Sequence, residues 1–401
     1  MFTKHRWRAV ALALALAVGA AACNPGPSSP APSSPTPSPS GPRAVPATPS
    51  SRPAADACVS KTVSGMTLRQ LVGQVMLVGT PIADPAALTG LVMTYEYGGV
   101  FLAGRTQASA AQLRSGISAL QASAPHAAGL LIALDQEGGR VQTVQGPDFP
   151  PIPSAVAQGA LTDADLRAQT QAWAGRLVDL GVTLNLAPVA DTVPASLGAG
   201  NPPIGALDRS YGSDPAAVAA DIATVVSAMQ NAGVYATLKH FPGLGRVTQN
   251  TDTSTGAVDT ETTAKDPYLE PFRAGIKAGA GAVMVSLASY PNLDPGAIAA
   301  FSAPVVTGLL RQQLGFTGLI VSDDLGNAVA VRDVPVGQLA VRFIDAGGDV
   351  ALTVSSSTAA PMFDGLLDAA NGSAAFRAKV VAAATRVVRA KYAVGLLPCS
   401  P

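Results

Sequence analysis

Eight short apolar runs, separated by helical patterns, set the limits on what this chain can fold into. They are Val75–Val78, Gly99–Leu102, Leu130–Leu134, Val182–Leu186, Val234–Leu238, Ala282–Val285, Leu319–Val321 and Val350–Thr353. These runs do not alternate polar with apolar residues, and that is the pattern of parallel strands covered on both faces. The intervening patterns are Pro85–Thr94, Ala108–Ser123, Asp163–Leu180, Pro215–Ala232, Pro267–Ala278, Pro304–Leu314 and Val336–Ala346. Many open on Asp, Ser or Pro and close near Gly, as Asp214-Pro215 and Gly233 do. Eight strands, seven helices between them and a closing helix over Ala374–Tyr392 predict an α/β fold, a (β/α)8 barrel of the TIM type. A doubly wound open sheet is the competing arrangement. It would carry a glycine-rich dinucleotide fingerprint, whereas Gly138-Gly139 follows the charged stretch Asp135-Gln136-Glu137.

The amino terminus reads as a targeting segment. Lys4, Arg6 and Arg8 precede an apolar stretch from Ala9 to Gly19, and Ala20-Ala21-Ala22 precede Cys23. Small residues before a cysteine resemble the lipobox of bacterial lipoproteins, so residues 1–23 are expected to be a signal peptide with Cys23 as its lipidation site. Ordinary secretion with cleavage nearby is the alternative. Residues 24–57 are nearly all Pro, Ser, Ala and Thr, a composition that buries too little apolar surface to order itself, and they are expected to form a tether. Residues 58–401 then form the barrel domain. With Cys23 assigned to an anchor, Cys58 and Cys399 remain, and an exported domain is expected to join such a pair as a disulfide. The expected location is extracytoplasmic, on the membrane through the lipid or secreted.

Charge excludes one class of partner. The 26 basic and 26 acidic side chains cancel, so nothing favours a polyanion such as nucleic acid. No His/Cys cluster has metal-ligand spacing. No cofactor is expected, and the domain is expected to be a monomer.

Barrel active sites lie at the carboxyl ends of the strands, and this chain concentrates polar residues there. Asp135 follows the third run, Asp191 the fourth, Lys239-His240 the fifth and Asp323-Asp324 the seventh. A carboxylate after a buried strand is often only a helix cap, but four such places on one rim point to a site. The motifs DQEGGRVQ (135–142), DRSYG (208–212), KHFPG (239–243) and SDDL (322–325) resemble glycoside hydrolase family 3, above all its bacterial β-N-acetylglucosaminidases, over roughly Thr67 to Tyr392. The resemblance implies a carbohydrate substrate and a retaining mechanism. In it Asp323 attacks the anomeric carbon, needing no perturbation of an aspartate's ordinary pKa to be ionised. It also implies that Asp135, Arg209, Lys239 and His240 hold sugar hydroxyls. Asp324 is expected to brace its loop, and Tyr211 to be the aromatic residue nearest the site.

The loop Leu244–Gly256 departs from the family pattern. Leu244 stands for a histidine, and Asp252-Thr253-Ser254 for an Asp-Ser-His segment whose dyad supplies the general acid/base. Asp252 survives while Ser254 replaces the imidazole; Thr143 and Leu287 likewise replace an arginine and a histidine. The chain has 3 histidines, of which His5 lies in the leader and His126 before the third strand, so neither can substitute. General acid catalysis contributes roughly 10² to 10⁴ in rate. Three functions therefore remain open: a retaining glycosidase of β-N-acetylglucosaminides or β-glucosides using Asp252 or another carboxylate as a weak acid, a sugar-binding relative without turnover, and a lipid-anchored scaffold.

Overall fold

The computed structural model describes residues 52–124 and 128–399. The leader, Cys23, His126 and the tether up to residue 51 lie outside the described residues. Eight parallel strands follow one another in chain order around a ring: β1 (Met76–Pro81), β2 (Gly99–Ala103), β3 (Leu131–Leu134), β4 (Leu184–Asn185), β5 (Tyr235–Phe241), β6 (Ala282–Val285), β7 (Leu319–Ser322) and β8 (Ala351–Thr353). β8 pairs with β1, and the bridge from Val321 to Val350 brings β7 against β8, which closes the barrel.

Both faces of each strand are apolar because each face has its own core. Leu77, Phe101, Leu131, Leu184, Met284 and Leu352 fill the barrel interior. Their neighbours along the strands, such as Val78, Val100, Ile132, Val283 and Ile320, pack outward under the helices. Interior layers of bulky side chains make such a barrel a packed core and not a channel.

The helical layer follows the expected stops. The helix Asp163–Leu180 is capped by the Thr162 hydroxyl and ends at Gly181 in the left-handed region, φ 89°. Pro215–Ala232 starts on Asp214 and ends at Gly233, φ 97°. The segment Pro304–Gln313 is wound as a π-helix. Three helices of seven or more residues go beyond the sequence reading. Arg52–Ser64 takes in residues 52–57, which the sequence placed in the tether; Leu68–Gln74 opens on a Thr67 capping box; Ser356–Gly372 runs through Pro361. The helix Arg52–Ser64 lies along Ala374–Ala393, and Cys58 and Cys399 are joined in a disulfide with Cα atoms 6.0 Å apart. This ties the two ends of the described chain together at the floor of the barrel.

One irregularity shapes the opposite rim. Thr237 and Leu238 pair with Ala282 and Val283, but the next partner of Val285 is Phe241. Two residues of β5, Lys239 and His240, thus oppose the single residue Met284. In a regular strand neighbouring side chains face opposite ways. A bulge breaks that rule, and here both Lys239 and His240 line the cavity at the strand's end. The Lys239-His240 and Phe241-Pro242 peptide bonds are cis.

Candidate active site

The carboxyl ends of the strands surround a cavity of about 450 Å³, within the usual range for small-molecule sites. Asp135, Lys239, His240, Arg209, Asp252 and Asp323 all line it, from the ends of four strands, β3, β4, β5 and β7. Arg105, Asn250, Leu244 and Asn327 are among the other residues that line it.

Its floor is a compact ionic group. Lys239, 3% exposed, places Nζ 2.6 Å from Asp135 Oδ1 and 2.5 Å from Glu137 Oε1. Arg209 donates to both oxygens of Glu137, each at 2.8 Å, and to the Pro203 carbonyl at 2.7 Å. Burial alone would raise the Glu137 pKa, but the charges of Arg209 and Lys239 outweigh it and hold the carboxyl down at about 2. Burial likewise opposes the Lys239 ammonium, while Asp135 and Glu137 hold its pKa above the ordinary lysine value. Two cations against two anions leave this group neutral. It offers N–H donors and carboxylate acceptors in a small space, which suits a neutral ligand bearing several hydroxyls.

Glu137 is the residue that sequence reasoning passed over. It sits in the hairpin formed by Gln136–Gly138 and Val141–Gln142, where Gly138 adopts φ 104° against Pro153. Its partner Arg209 is 72 residues away in sequence. The available signal was its place inside DQEGGRVQ, an acidic side chain amid glycines after a buried strand.

The nucleophile candidate follows β7. Asp323 is partly buried and accepts a hydrogen bond from the Asp324 amide at 2.9 Å. Its pKa is raised, not ordinary as the sequence suggested: burial raises it most and the Asp252 charge adds, against His240, the Asp324 amide and Lys239. Asp324 accepts from the Gly326 and Val354 amides and from Asn327 Nδ2, each at 2.9 Å, so it braces the loop.

Asp252 comes from the loop after β5. Its side chain is exposed, and its amide donates to Asn250 Oδ1 at 2.9 Å. The backbone of this loop is pinned at several points. Asn201, fully buried, donates to the Leu244 and Val247 carbonyls at 2.7 and 2.8 Å, and the Ala330 amide donates to the Thr251 carbonyl at 3.0 Å. Ser254 contacts Gln249 and not Asp252. Thr143 is buried and donates to the Asp135 carbonyl at 2.8 Å, so its hydroxyl serves the strand end. Tyr211 does not reach the cavity: it is buried beneath the Glu137 hairpin, with its hydroxyl bound to Gln158 at 2.9 Å. Leu287 is buried in the outer core.

A parallel barrel with an ionic, hydroxyl-matching pocket and two further carboxylates at its mouth defines a glycosidase-type protein. Residues 67–390 match the model of the glycosyl hydrolase family 3 N-terminal domain, and the chain belongs to that family, whose members hydrolyse O-glycosyl bonds. A β-hexosaminidase of Xylella fastidiosa (strain M23) is 42% identical over 265 residues, covering 63% of this chain and 75% of the relative. A β-hexosaminidase of Stenotrophomonas maltophilia (strain K279a) is 40% identical over 267 residues, with the same coverage. The crystal structure of a β-N-acetylhexosaminidase from Beutenbergia cavernae superposes with a TM-score of 0.79 at 42% identity, over 81% of this chain and 98% of that one.

Proposed function

We propose that this protein is a retaining glycosidase that removes terminal β-linked N-acetylhexosamine or glucose, with Asp323 as nucleophile and Asp252 as acid/base. The observation that carries this reading is the division of labour among the cavity's carboxylates. Asp135 and Glu137 are committed to Lys239 and Arg209, and Asp324 to three N–H donors. Among the described residues, Asp323 accepts one hydrogen bond and the Asp252 carboxylate none, so these two are open to substrate. Asp323 would attack the anomeric carbon while Asp252 protonates the departing oxygen. Water, deprotonated by Asp252, would then release the sugar from Asp323. Asp135, Arg209, Lys239 and His240 would hold the terminal sugar. The names of the relatives favour the N-acetylhexosaminide over the glucoside.

A second reading, sugar binding without turnover, draws on the exposure of Asp252 and on Ser254 standing where the family's loop carries an imidazole. Hydrolysis of aryl β-N-acetylglucosaminide and aryl β-glucoside by the wild-type domain separates the two. Turnover of the first above the second supports the proposal; binding of N-acetylglucosamine with no turnover of either supports the alternative. We further propose an extracytoplasmic location, supported by the Cys58–Cys399 disulfide, since such bonds persist in oxidising compartments; anchoring at Cys23 is proposed from the lipobox-like sequence before it.

A further inference from the structure

Asp191 follows β4, is fully buried, and has no part in the chemistry above. Its Oδ1 accepts from the His240 amide at 3.0 Å and from the Leu244 amide at 2.8 Å. Its Oδ2 lies 2.7 Å from His240 Nδ1. Three nitrogens thus converge on one side chain, and a carboxylate is the form that accepts from all three. The hydrogen between Oδ2 and Nδ1 then belongs to the imidazole. A histidine holding its proton on Nδ1 carries a lone pair on Nε2, on the opposite edge of the ring. His240 lines the cavity, and with Nδ1 turned back to Asp191, that opposite edge is the one presented to a ligand.

We infer that Asp191 is a positioning residue that fixes His240 as the Nδ1–H form, so that Nε2 accepts a hydrogen bond from a sugar hydroxyl. The inference rests on the reading of the cavity as a sugar site. It gives the pocket a neutral acceptor beside the donors of Lys239 and Arg209, and a hydroxyl both donates and accepts. The same carboxylate fixes the Leu244 amide, where the loop toward Asp252 begins. One buried side chain therefore sets the ring that grips the sugar and the base of the loop that carries the acid.

The chain's 3 histidines make the ring directly observable. Long-range proton–nitrogen NMR of the ¹⁵N-labelled wild type at neutral pH, with His240→Gln for assignment, should show Nδ1–H and a bare Nε2 whose resonance moves on adding N-acetylglucosamine. In Asp191→Asn the carbonyl oxygen can keep both backbone amides, but the amide N–H now faces Nδ1. The ring should invert to Nε2–H, and KM for an aryl N-acetylglucosaminide should rise about tenfold, the scale of one hydrogen bond, with kcat changed less. An Nε2–H or doubly protonated ring in the wild type overturns the inference, and so does an inverted ring with unchanged KM. If Asp191→Asn does not fold, the wild-type spectrum alone decides the tautomer. A ring of the expected form that responds to neither N-acetylglucosamine nor glucose upholds the effect of Asp191 on His240 and sinks the sugar-site reading.

Discussion

Lys239–Gly243 and Leu244–Gly256 are consecutive stretches of one strand end and loop, and they are held in opposite ways. In the first, Lys239 and His240 are buried and each is tied by its side chain to a carboxylate. In the second, Leu244 and Val247 are buried and their carbonyls are fixed by Asn201, but Asp252, the proposed acid, has an exposed side chain and only its backbone is braced. On the proposed reading, recognition rests on buried groups held by carboxylates, and the Lys239 ion pairs in particular fix geometry and are costly to disturb. Acid catalysis is assigned to a surface carboxylate that nothing buries. The binding stretch should therefore be sensitive both in stability and in affinity, and the catalytic stretch in rate alone.

Glu137→Gln tests the first stretch and should have the largest effect. It leaves Lys239 and Arg209 short of a buried counter-charge, a loss of about 3–5 kcal/mol in unfolding free energy that denaturant titration would detect, together with weakened sugar binding. A loss below ~1 kcal/mol would erase the contrast. Asp252→Asn tests the second. Rates on substrates with poor leaving groups should fall by roughly 10² to 10⁴, activated aryl glycosides should be largely spared, and the melting temperature should not change. A fall of equal size on both substrate types would remove Asp252 from the acid role.

Acid titration sharpens the same contrast. Glu137 has its folded pKa held at about 2 against an ordinary 4.5. The unfolded chain binds its proton first, so the stability from this group is complete above the ordinary value and is lost as pH falls toward the folded one. Glu137→Gln should flatten that part of the stability curve, whereas Asp252→Asn should leave it unchanged. The smallest effect is expected for Ser254→Ala, which removes a surface contact to Gln249. Its activity should stay within about threefold and its stability within ~0.5 kcal/mol; a larger loss of rate would place Ser254 in the chemistry.

The barrel was legible because its strands are apolar on both faces, and runs such as Ala282–Val285 cannot be read as half-exposed. Helix ends at Gly181 and Gly233 were legible from their glycines. Helix Arg52–Ser64 was not, because it is fixed by packing on the carboxyl-terminal helix and by Cys58, and its Pro and Ala residues blend with the preceding low-complexity stretch. Ser356–Gly372 was hidden by Pro361. In the site, residues that follow strands could be placed from spacing. Tyr211 could not, since its direction depends on a partner, Gln158, in a distant segment. Glu137 and Asp191 carry their meaning only in pairs that close across the rim. Lys391 makes the same point at the floor. It is buried like Lys239, but among the described residues its side chain donates to the neutral Gln74 Oε1 at 2.6 Å, and burial lowers its pKa to about 7. The KHFPG motif places Lys239 at the rim, but which lysine is held charged and which is pressed toward neutrality follows only from the partners the fold brings to each.

On the proposed reading Asp323 is a nucleophile whose attack on the sugar does not depend on Asp252. An activated 2-deoxy-2-fluoro glycoside needs no protonation of its leaving group, so it interrogates Asp323 apart from Asp252. Incubation followed by intact-mass measurement and peptide mapping should show one sugar per chain, attached at Asp323, in the wild type and in Asp252→Asn alike. An unlabelled wild type under conditions where the sugar binds, or a label on another carboxylate, would contradict it.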